Sequence, residues 1–357
     1  MALGGDASVA TSGFWASLTM ATTLKLPMLF YIEDNDLGIS VRGDMQTPGG
    51  DIARNLASFT NLFVRNGSGT EPHEAAGLLQ EAVAHVRSGA GPALVRLTVP
   101  RLCSHSGPDN QKGYRTDDEI AADLARDPLP KLHDYLVPAL MSAVEWAELE
   151  AEVARDIAAG LEEARARAIP NPATIAQYVM ADESPDVAEA MGGLTRAERA
   201  ALPGTETPSE DGELLRYAEA IRRTMHHELA INPKVVVFGE DVGRKGGVHL
   251  VTEGLQKQFG NARVFDTSLS EEGIIGRAVA MAISGLMPVA EIQFRKYADP
   301  ATEQLNNTGT MRWRTANRFA APMVVRMPGG FGKDVGDPWH SLSDEVRFAH
   351  AYGWQVA

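Results

Sequence analysis

The sequence of 357 residues predicts an α/β protein with two parallel sheets, each flanked by helices, joined by a helical arm and a linker. In each unit, short apolar segments typical of buried strands alternate with longer segments whose apolar residues recur at helical spacing. Between the units the chain is first rich in Ala and Glu, and then in Pro, Gly, Thr and acids. We therefore expect domains over 1–135 and 213–357, a helical arm over 136–184 and a linker over 185–212.

The first unit is predicted from two strands and the helix between them. The strand segments are "PMLFYIE" from Pro27 and "PALVRLTV" from Pro92. Between them, "PHEAAGLLQEAVAHVRSG" has apolar residues at helical spacing and stops at Gly89. Because consecutive parallel strands need a crossover connection, which is usually a helix, this alternation favours a parallel sheet.

The arm and the second unit follow the same reasoning. "SAVEWAELEAEVARDIAAGLEEARARA", from Ser142, is predicted to be a long amphipathic helix. After the linker, "LLRYAEAIRRTMHHELA" and "EEGIIGRAVAMAISGL" read as helices, and four segments read as strands: "KVVVFGED", "ARVFDTS", "MPVAEIQF" and "PMVVRMP". The second unit is therefore expected to have the same parallel α/β architecture as the first.

Composition narrows the class of protein. The formal net charge is −14, which argues against non-specific binding to nucleic acid. No apolar run approaches the roughly 20 residues of a membrane span. A single cysteine, Cys103, excludes an internal disulfide and is typical of a reducing compartment. We expect a cytoplasmic protein with no nucleic-acid or membrane partner.

A candidate metal site lies in the first 35 residues. Asp6 follows two glycines where a strand ends, and Asn35 lies at the end of the next strand, so both belong to the carboxyl edge of a parallel sheet. A carboxylate, an amide oxygen and a backbone carbonyl form a hard oxygen site suited to Mg²⁺, with water and a diphosphate as further ligands. The alternative is that Asp6 caps a helix and Asn35 serves a turn.

Three further residues are candidates for proton transfer. Glu271 opens a predicted helix after "RVFDTSLS"; the alternative is an ordinary helix start, capped by Ser268 or Ser270 and favoured by the helix dipole. His105 and His340 each precede a serine in a polar loop. Histidine donates or accepts a proton near neutral pH, although a lone loop histidine is commonly just a solvated side chain.

These motifs resemble those of the thiamine diphosphate-dependent 2-oxo acid dehydrogenases. "GDA" and "EDNDLGIS" resemble the family's α-subunit motif, which runs from Gly-Asp-Gly to Asn-Asn-x-x-x-Ile-Ser; Ala7 replaces the last Gly and Asp34 the first Asn. The resemblance implies thiamine diphosphate and Mg²⁺ as cofactors. It assigns metal ligation to Asp6, Asn35 and the backbone carbonyl of Leu37, and cofactor contacts to those residues with Gly5, Ala7, Ser8 and Glu271.

The same resemblance assigns catalytic roles. "RLCSHSGPDNQKGYRTDDEI" is similar to the α-subunit loop whose histidine, here His105, positions the substrate-derived intermediate and assists acyl transfer. The segment from "VVVFGEDVG" to "VAEIQF" is similar to the β subunit, whose catalytic glutamate matches Glu271. That carboxyl group hydrogen-bonds a pyrimidine nitrogen, so that the imino form can generate the ylid. "DPWHSLSDEVRFAHAYGW" places His340 at the β-subunit histidine near the reactive carbon.

The resemblance covers about Gly4 to Ser184 as an α-type part and Glu213 to Ala357 as a β-type part of a fused chain. Both parts imply the thiamine-diphosphate-binding fold. The α-type part is expected to bind diphosphate and metal, and the β-type part the pyrimidine, with the cofactor between them. The expected reaction is oxidative decarboxylation of a 2-oxo acid, with a branched-chain acid favoured. The acyl group then passes to the lipoyl group of an acyltransferase partner, and the fused chains are expected to form a homodimer.

Two alternatives stay open. One is a pyruvate dehydrogenase, an acetoin dehydrogenase or a transketolase-like thiamine enzyme, which assays of 2-oxo acids against acetoin would separate. The other is a non-catalytic remnant, because both ends of the chain look like cuts inside domains, and the family has further segments before the metal motif and after the β-type part. We therefore expect the chain alone to bind cofactor poorly, which a calorimetric titration would test.

Overall fold

In the part of the chain that the structure describes, two four-stranded parallel sheets form the centres of two compact units, Met1–Ile169 and Pro170–Ala357. The structure is a computed structural model and describes residues 1–180, 197, 212–331 and 336–357. Helices flank both sheets, which confirms the predicted α/β class with parallel sheets. The linker predicted over 185–212 lies almost entirely outside the described residues.

The sheet of the first unit has the strand order β1-β2-β6-β5, and every neighbouring pair is parallel. Its strands are β1 (Ala2–Gly5), β2 (Leu29–Asp34), β5 (Phe63–Ser68) and β6 (Ala93–Thr98), and a small hairpin follows β2, made of β3 (Leu37–Gly38) and β4 (Val41–Arg42). Because β6 lies in the middle of the sheet, its residues are buried on both faces, and Arg96 is its one charged residue.

Several helices of the first unit begin at residues whose side chains cap them. They are α1 (Ser12–Thr23), α2 (Gly43–Gln46), α3 (Ile52–Asn55), α4 (Pro72–Arg87), α5 (Asp117–Leu124), α6 (Pro128–Leu136) and α7 (Ala143–Ala166). The Thr11 side chain caps α1, while Thr116 and Ser142 form capping boxes at α5 and α7. The long helix expected from Ser142 is therefore present, with Ser142 as its cap.

Successive residues of β6 point to opposite faces of the sheet and build two separate apolar layers. On one face Leu94 packs with Leu18 of α1 and Ile32 of β2. On the other face Val95 packs with Leu29 and with Ala82 of α4. The sheet is thus covered on both faces, as a parallel sheet requires.

The second unit repeats this arrangement with the strand order β10-β9-β7-β8, again all parallel. Its strands are β7 (Val235–Gly239), β8 (Val264–Asp266), β9 (Met287–Glu291) and β10 (Val324–Arg326). Its helices are α8 (Tyr217–Ile231), α9 (Leu255–Phe259), α10 (Glu271–Ile283), α11 (Thr302–Gly309), α12 (Met311–Arg314) and α13 (Val346–Ala349). A 3₁₀ turn, Arg295–Ala301, precedes α11.

The core of the second unit also lies on both faces of its sheet. Phe238 on one face of β7 packs with Ile274 and Ile275 of α10. Val237 on the opposite face packs with Met225 and Leu229 of α8. Helix α10, which carries Glu271 as its first residue, is therefore fixed against the sheet by buried side chains.

The structure differs from the sequence reading at two places. Strand β5 was not expected, because Arg65 and Asn66 interrupt its apolar pattern and it lies at the edge of the sheet. The helix expected from Leu214 begins only at Tyr217, and Leu214 is fully exposed. In the described residues, no helix is both long and apolar enough to cross a membrane.

We expect Ile275→Ala to lower the free energy of unfolding by about 2–5 kcal/mol, because Ile275 has no exposed surface and its loss leaves a cavity under α10. Ile283→Ala at the exposed end of the same helix is the control, with an expected loss under about 1 kcal/mol. Urea unfolding of the two variants measures the difference. Equal losses would contradict the assigned core.

Candidate functional site

The carboxyl edge of the first sheet brings Asp6 and Asn35 together. Strands β1 and β2 pair in parallel with Gly5 opposite Glu33, so the residues that follow them leave the sheet side by side. The backbone N–H of Asn35 is close enough to the Asp6 carboxylate to lower its pKa by hydrogen bonding. Two residues separated by 28 positions in the chain therefore share one corner of the fold.

Asp6 is buried, and its Oδ2 atom has no hydrogen-bond partner in the described structure. Burial is the largest influence on its pKa and raises it, and the charge of Asp34 adds to this rise. A buried carboxylate oxygen without a partner is costly unless a cation or a donor reaches it. The helix-cap role considered for Asp6 is not found, because Thr11 caps α1.

Asn35 takes the turn role that was considered for it. Its Oδ1 accepts the N–H of Leu37 at 3.1 Å, a local side chain–backbone turn that fixes the hairpin after β2. A carboxamide oxygen has two lone pairs, so this bond leaves one for a further ligand. Turn formation and metal ligation by Asn35 are therefore compatible.

The turn after β1 is held close to the backbone by small residues. The Ser8 hydroxyl donates to the Gly5 carbonyl at 2.6 Å. A Cβ at Gly4 would lie 2.3 Å from Ser8 Oγ, so a side chain there would displace the Ser8 hydroxyl from the Gly5 carbonyl. Ala7 has φ −70° and ψ −28°, a conformation open to any L-residue, which explains why it can stand where the resembling family has glycine.

Asp34, the second departure from the family motif, is neutralised inside the sheet. Its Oδ2 accepts a bond from Arg96 Nε at 2.6 Å, and both side chains are buried. Arg96 also donates to the Asn66 side chain at 3.0 Å and to the Gly50 carbonyl at 3.2 Å. Because Asp34 is paired in this way, the unpartnered negative charge at this corner is that of Asp6.

The loop after β6 carries His105 and is organised around Asp109. The Asp109 Oδ2 atom accepts the backbone N–H of His105 at 2.8 Å, the Tyr114 hydroxyl at 2.8 Å and Arg101 Nη2 at 3.2 Å. The first of these bonds is the main reason why the pKa of Asp109 is lowered. The side chains of His105 and Ser106 remain exposed, so the loop presents the imidazole to solvent.

Two buried arginines fasten this loop to the rest of the unit. Arg101 donates to the carbonyl of Ile39 in the hairpin after β2, and so ties the His105 loop to the segment that contains Asn35. Arg115 pairs with Asp123 of α5 at 2.5 Å and donates to the Arg101 carbonyl at 3.3 Å. The loop is therefore held at the edge of the sheet where Asp6 and Asn35 lie.

The carboxyl edge of the second sheet gathers acidic side chains. Glu240 follows β7, and Glu271 is the first residue of α10, which follows the neighbouring strand β8. Ser270 caps α10 by accepting the Gly273 N–H at 3.2 Å, so Ser270 and not Ser268 is the cap of the two serines considered. A cap at Ser270 does not decide whether Glu271 also has a chemical role.

Glu240 has the most displaced carboxyl pKa that the structure resolves in this unit. Burial and then the nearby charge of Glu271 raise it from its ordinary value of 4.5 to about 7, with Asp241 adding to the rise. Its Oε1 atom is buried and has no partner among the described residues. Glu240 therefore keeps its proton up to about pH 7.

His340 is surrounded by polar and aromatic partners. Its Nε2 lies 3.0 Å from the Tyr297 hydroxyl and its Nδ1 lies 2.9 Å from Asp337 Oδ2. The ring of Phe294 packs edge-on against it with centroids 4.9 Å apart. His340 is therefore fixed on both of its nitrogens.

A hydrogen bond links the acidic segment after β7 to the residues that pack around His340. Gln293, which follows β9 next to Phe294, donates to Asp241 Oδ2 at 3.0 Å. Gly239 allows the approach of β7 and β9, since a Cβ there would lie 2.3 Å from the Glu291 carbonyl oxygen. Within the described residues, no hydrogen bond or ion pair joins His340 directly to Glu271.

Sequence reasoning missed several of these partners: Arg101, Asp109, Glu240, Tyr297 and Asp337. Glu240 had a signal, because it directly follows a predicted strand as Asp6 does. The other four contact their partners only because the folded loops bring them together. Tyr297, for example, lies 43 residues before His340 in the chain. Their spacing in the chain carries no pattern that periodicity could detect.

The predicted metal ligands can be compared with the side chains that the structure brings together. Among the described residues, no three His, Cys, Asp or Glu side chains come together as a metal site. The predicted set draws only one such side chain, Asp6, with an amide and a backbone oxygen. The buried, unpartnered Asp6 oxygen fits a bound Mg²⁺, because hard cations take oxygen ligands and leave some positions to water.

Two family models match the chain. Residues 1–173 match the dehydrogenase E1 component, and residues 214–357 match the transketolase pyrimidine binding domain. The chain therefore carries an α-type region of the dehydrogenase E1 component family, followed by a β-type region of the transketolase pyrimidine-binding family. Its first sheet is thus the centre of the α-type part and its second sheet the centre of the β-type part.

Curated relatives of this chain match the β-type part. The 2-oxoisovalerate dehydrogenase subunit beta of Pseudomonas aeruginosa is 49% identical over 136 residues, or 38% of this chain and 39% of that protein. The pyruvate dehydrogenase E1 component subunit beta of Acholeplasma laidlawii is 42% identical over 144 residues, or 40% of this chain and 44% of that protein. The chain therefore spans less than half the length of these relatives.

We expect Asp109→Ala to loosen the His105 loop, because one carboxylate oxygen holds a backbone N–H, a hydroxyl and a guanidinium there. Amide exchange at His105 should accelerate about tenfold or more, a loss of roughly 1.4 kcal/mol in local opening. Asp117→Ala, which removes an exposed partner of Lys112, is the control and should leave His105 unchanged. Unchanged exchange in Asp109→Ala would contradict the anchoring role.

We expect the raised pKa of Glu240 to weaken folding as the pH rises. The folded protein keeps this proton up to about pH 7 whereas an unfolded carboxyl loses it near 4.5, so the free energy of unfolding should fall between about pH 4.5 and about pH 7. Glu240→Gln should flatten this slope. Glu303→Gln, at an exposed glutamate, is the control. Urea unfolding over this range measures the slopes, and an unaltered slope in Glu240→Gln would refute the assignment.

Proposed function

We propose that this chain carries out oxidative decarboxylation of a 2-oxo acid and transfers the acyl group to the lipoyl group of an acyltransferase partner. The observation that carries the proposal is the buried Asp6 oxygen without a partner, beside Asn35 at a sheet edge of a dehydrogenase E1 component domain. A buried carboxylate of this kind can bind the Mg²⁺ that holds a diphosphate. A site made only of exposed, neutral ligands would not explain why this carboxylate is buried.

Residues of each part have distinct tasks in the proposal. Asp6, Asn35 and the Leu37 carbonyl would hold Mg²⁺, and Gly5, Ala7 and Ser8 would lie against the diphosphate. Glu271 would hydrogen-bond a pyrimidine nitrogen, and the neighbouring Glu240, whose pKa is raised to about 7, is the group beside it that keeps a proton close to neutral pH. Thiamine diphosphate, when bound, supplies the electron sink for loss of carbon dioxide.

The two histidines would handle protons on the substrate side. His105 is exposed on a loop anchored by Asp109, which suits a group that meets an incoming lipoyl group. His340 is held at both ring nitrogens and can pass a proton at a fixed place. Both assignments rest on the family resemblance and on this anchoring.

The substrate proposed first is a branched-chain 2-oxo acid. Its support is the 49% identity to a 2-oxoisovalerate dehydrogenase subunit beta, against 42% for a pyruvate dehydrogenase subunit beta. Pyruvate is therefore the second candidate. A homodimer of fused chains and a cytoplasmic location complete the proposal.

We expect Glu271→Ala in the assembled enzyme to lower kcat for decarboxylation by about 10²-fold or more, the usual contribution of a positioned acid–base group. Branched-chain 2-oxo acids and pyruvate are compared with an artificial electron acceptor, so that acyl transfer is not needed. Glu303→Ala, an exposed glutamate in the first turn of α11, is the control and should keep full activity.

Retention of full decarboxylation by Glu271→Ala would rule out the catalytic assignment. Faster turnover of pyruvate than of branched-chain acids would exchange the two substrate candidates and leave the reaction in place.

A further inference from the structure

One short turn fastens the segment that carries His340, residues 337–344, through three consecutive side chains. Arg295, the first residue of the 3₁₀ turn, is buried and pairs with Asp344. Lys296 lies over the Trp339 ring at 4.7 Å from its centroid, and Tyr297 contacts His340. The His340 imidazole thus lies in a segment that is held before it at Trp339 and after it at Asp344.

Asp337 uses both of its carboxylate oxygens within this segment. Oδ1 accepts the backbone N–H of Trp339 at 2.9 Å and that of His340 at 3.0 Å. Oδ2 faces His340 Nδ1 at 2.9 Å. The carboxylate cannot turn away from the ring without losing two backbone hydrogen bonds.

The ionised state of Asp337 is secured by the same contacts. The backbone N–H of His340 is the largest influence on its pKa and lowers it, and the His340 ring acts in the same direction. An ionised carboxylate only accepts hydrogen bonds, so the nitrogen that faces it must carry a proton. In neutral His340 that nitrogen is Nδ1.

We propose that Asp337 is a positioning residue which holds neutral His340 in the Nδ1-protonated tautomer and leaves Nε2 as the proton-accepting atom. Tyr297 completes the arrangement by donating its hydroxyl to Nε2. The hydrogen bond made by one ring nitrogen sets the state of the other, and free imidazole side chains favour the opposite, Nε2-protonated form. The catalytic value of this arrangement rests on the function proposed above for His340.

Stability is not the reason for this contact. The side chains of Asp337 and His340 are 51% and 39% exposed, and exposed ion pairs contribute little to folding. What the contact fixes is which nitrogen can take a proton from a neighbouring group. A positioning role therefore predicts a change in ring state with little change in the free energy of unfolding.

The test is nitrogen NMR of the full chain, labelled with ¹⁵N at histidine, with His340→Gln used to assign the His340 signals. In the wild type we expect the Nδ1 signal of a protonated and the Nε2 signal of an unprotonated imidazole nitrogen. Asp337→Asn keeps an oxygen for the two backbone N–H groups and turns a donor toward Nδ1. It should therefore reverse the two signals.

Two variants separate this effect from general loosening of the segment. Tyr297→Phe removes the partner of Nε2 and should leave Nδ1 protonated. Glu345→Gln removes an exposed charge that contacts Ser343 and not His340, and should change neither signal. In the assembled enzyme, Asp337→Asn should lower kcat about 10²-fold with a nearly unchanged KM, as loss of acid–base catalysis predicts.

A wild-type spectrum with Nε2 protonated, or signals in Asp337→Asn like those of the wild type, would overturn the proposal. The spectra need no turnover. If the signals reverse as expected while the assembled wild-type enzyme decarboxylates no 2-oxo acid, the positioning by Asp337 stands and the proposed function fails.

Discussion

Parallel pairing of short buried strands is the constraint on which both units depend. Because parallel strands end at the same edge, the segments after β1, β2 and β6 meet at one corner of the first sheet, and those after β7, β8 and β9 meet at one corner of the second. The apolar strands therefore do more than fill a core. Their register decides which polar side chains become neighbours.

Negative side chains lie close together at the carboxyl edge of the first sheet, and most of them are paired with donors. Three aspartates, Asp6, Asp34 and Asp36, crowd the ends of β1 and β2, and the last two raise the pKa of the first. Arg96 neutralises Asp34 from within the sheet, and the Gly43 N–H binds Asp36. Of these three aspartates, only Asp6 keeps a buried oxygen without a partner in the described structure, so the electrostatic demand for a cation at this corner is focused on one atom.

The sequence allowed prediction of whatever depends on local patterns. Apolar runs identified β2, β6 and β7, the residues at strand ends pointed to Asp6 and Asn35, and the family resemblance pointed to Glu271. Strand β5 was hidden because an edge strand tolerates polar residues such as Arg65. Asp337 and Tyr297 were hidden for another reason. Their importance lies in facing the two nitrogens of one ring, and only the folded 3₁₀ turn and loop place them there.

The second unit controls protons by two different physical means. Glu240 keeps a proton because burial and the charge of Glu271 make its ionisation costly, so the number of protons on Glu240 depends on pH. His340 is directed by hydrogen bonds, which select a tautomer and leave the number of protons unchanged. A reaction that needs one group to store a proton and another to accept it at a defined atom requires both means. The second unit provides the first with Glu240 after β7 and the second with His340, which contacts Phe294 and Tyr297 after the neighbouring strand β9.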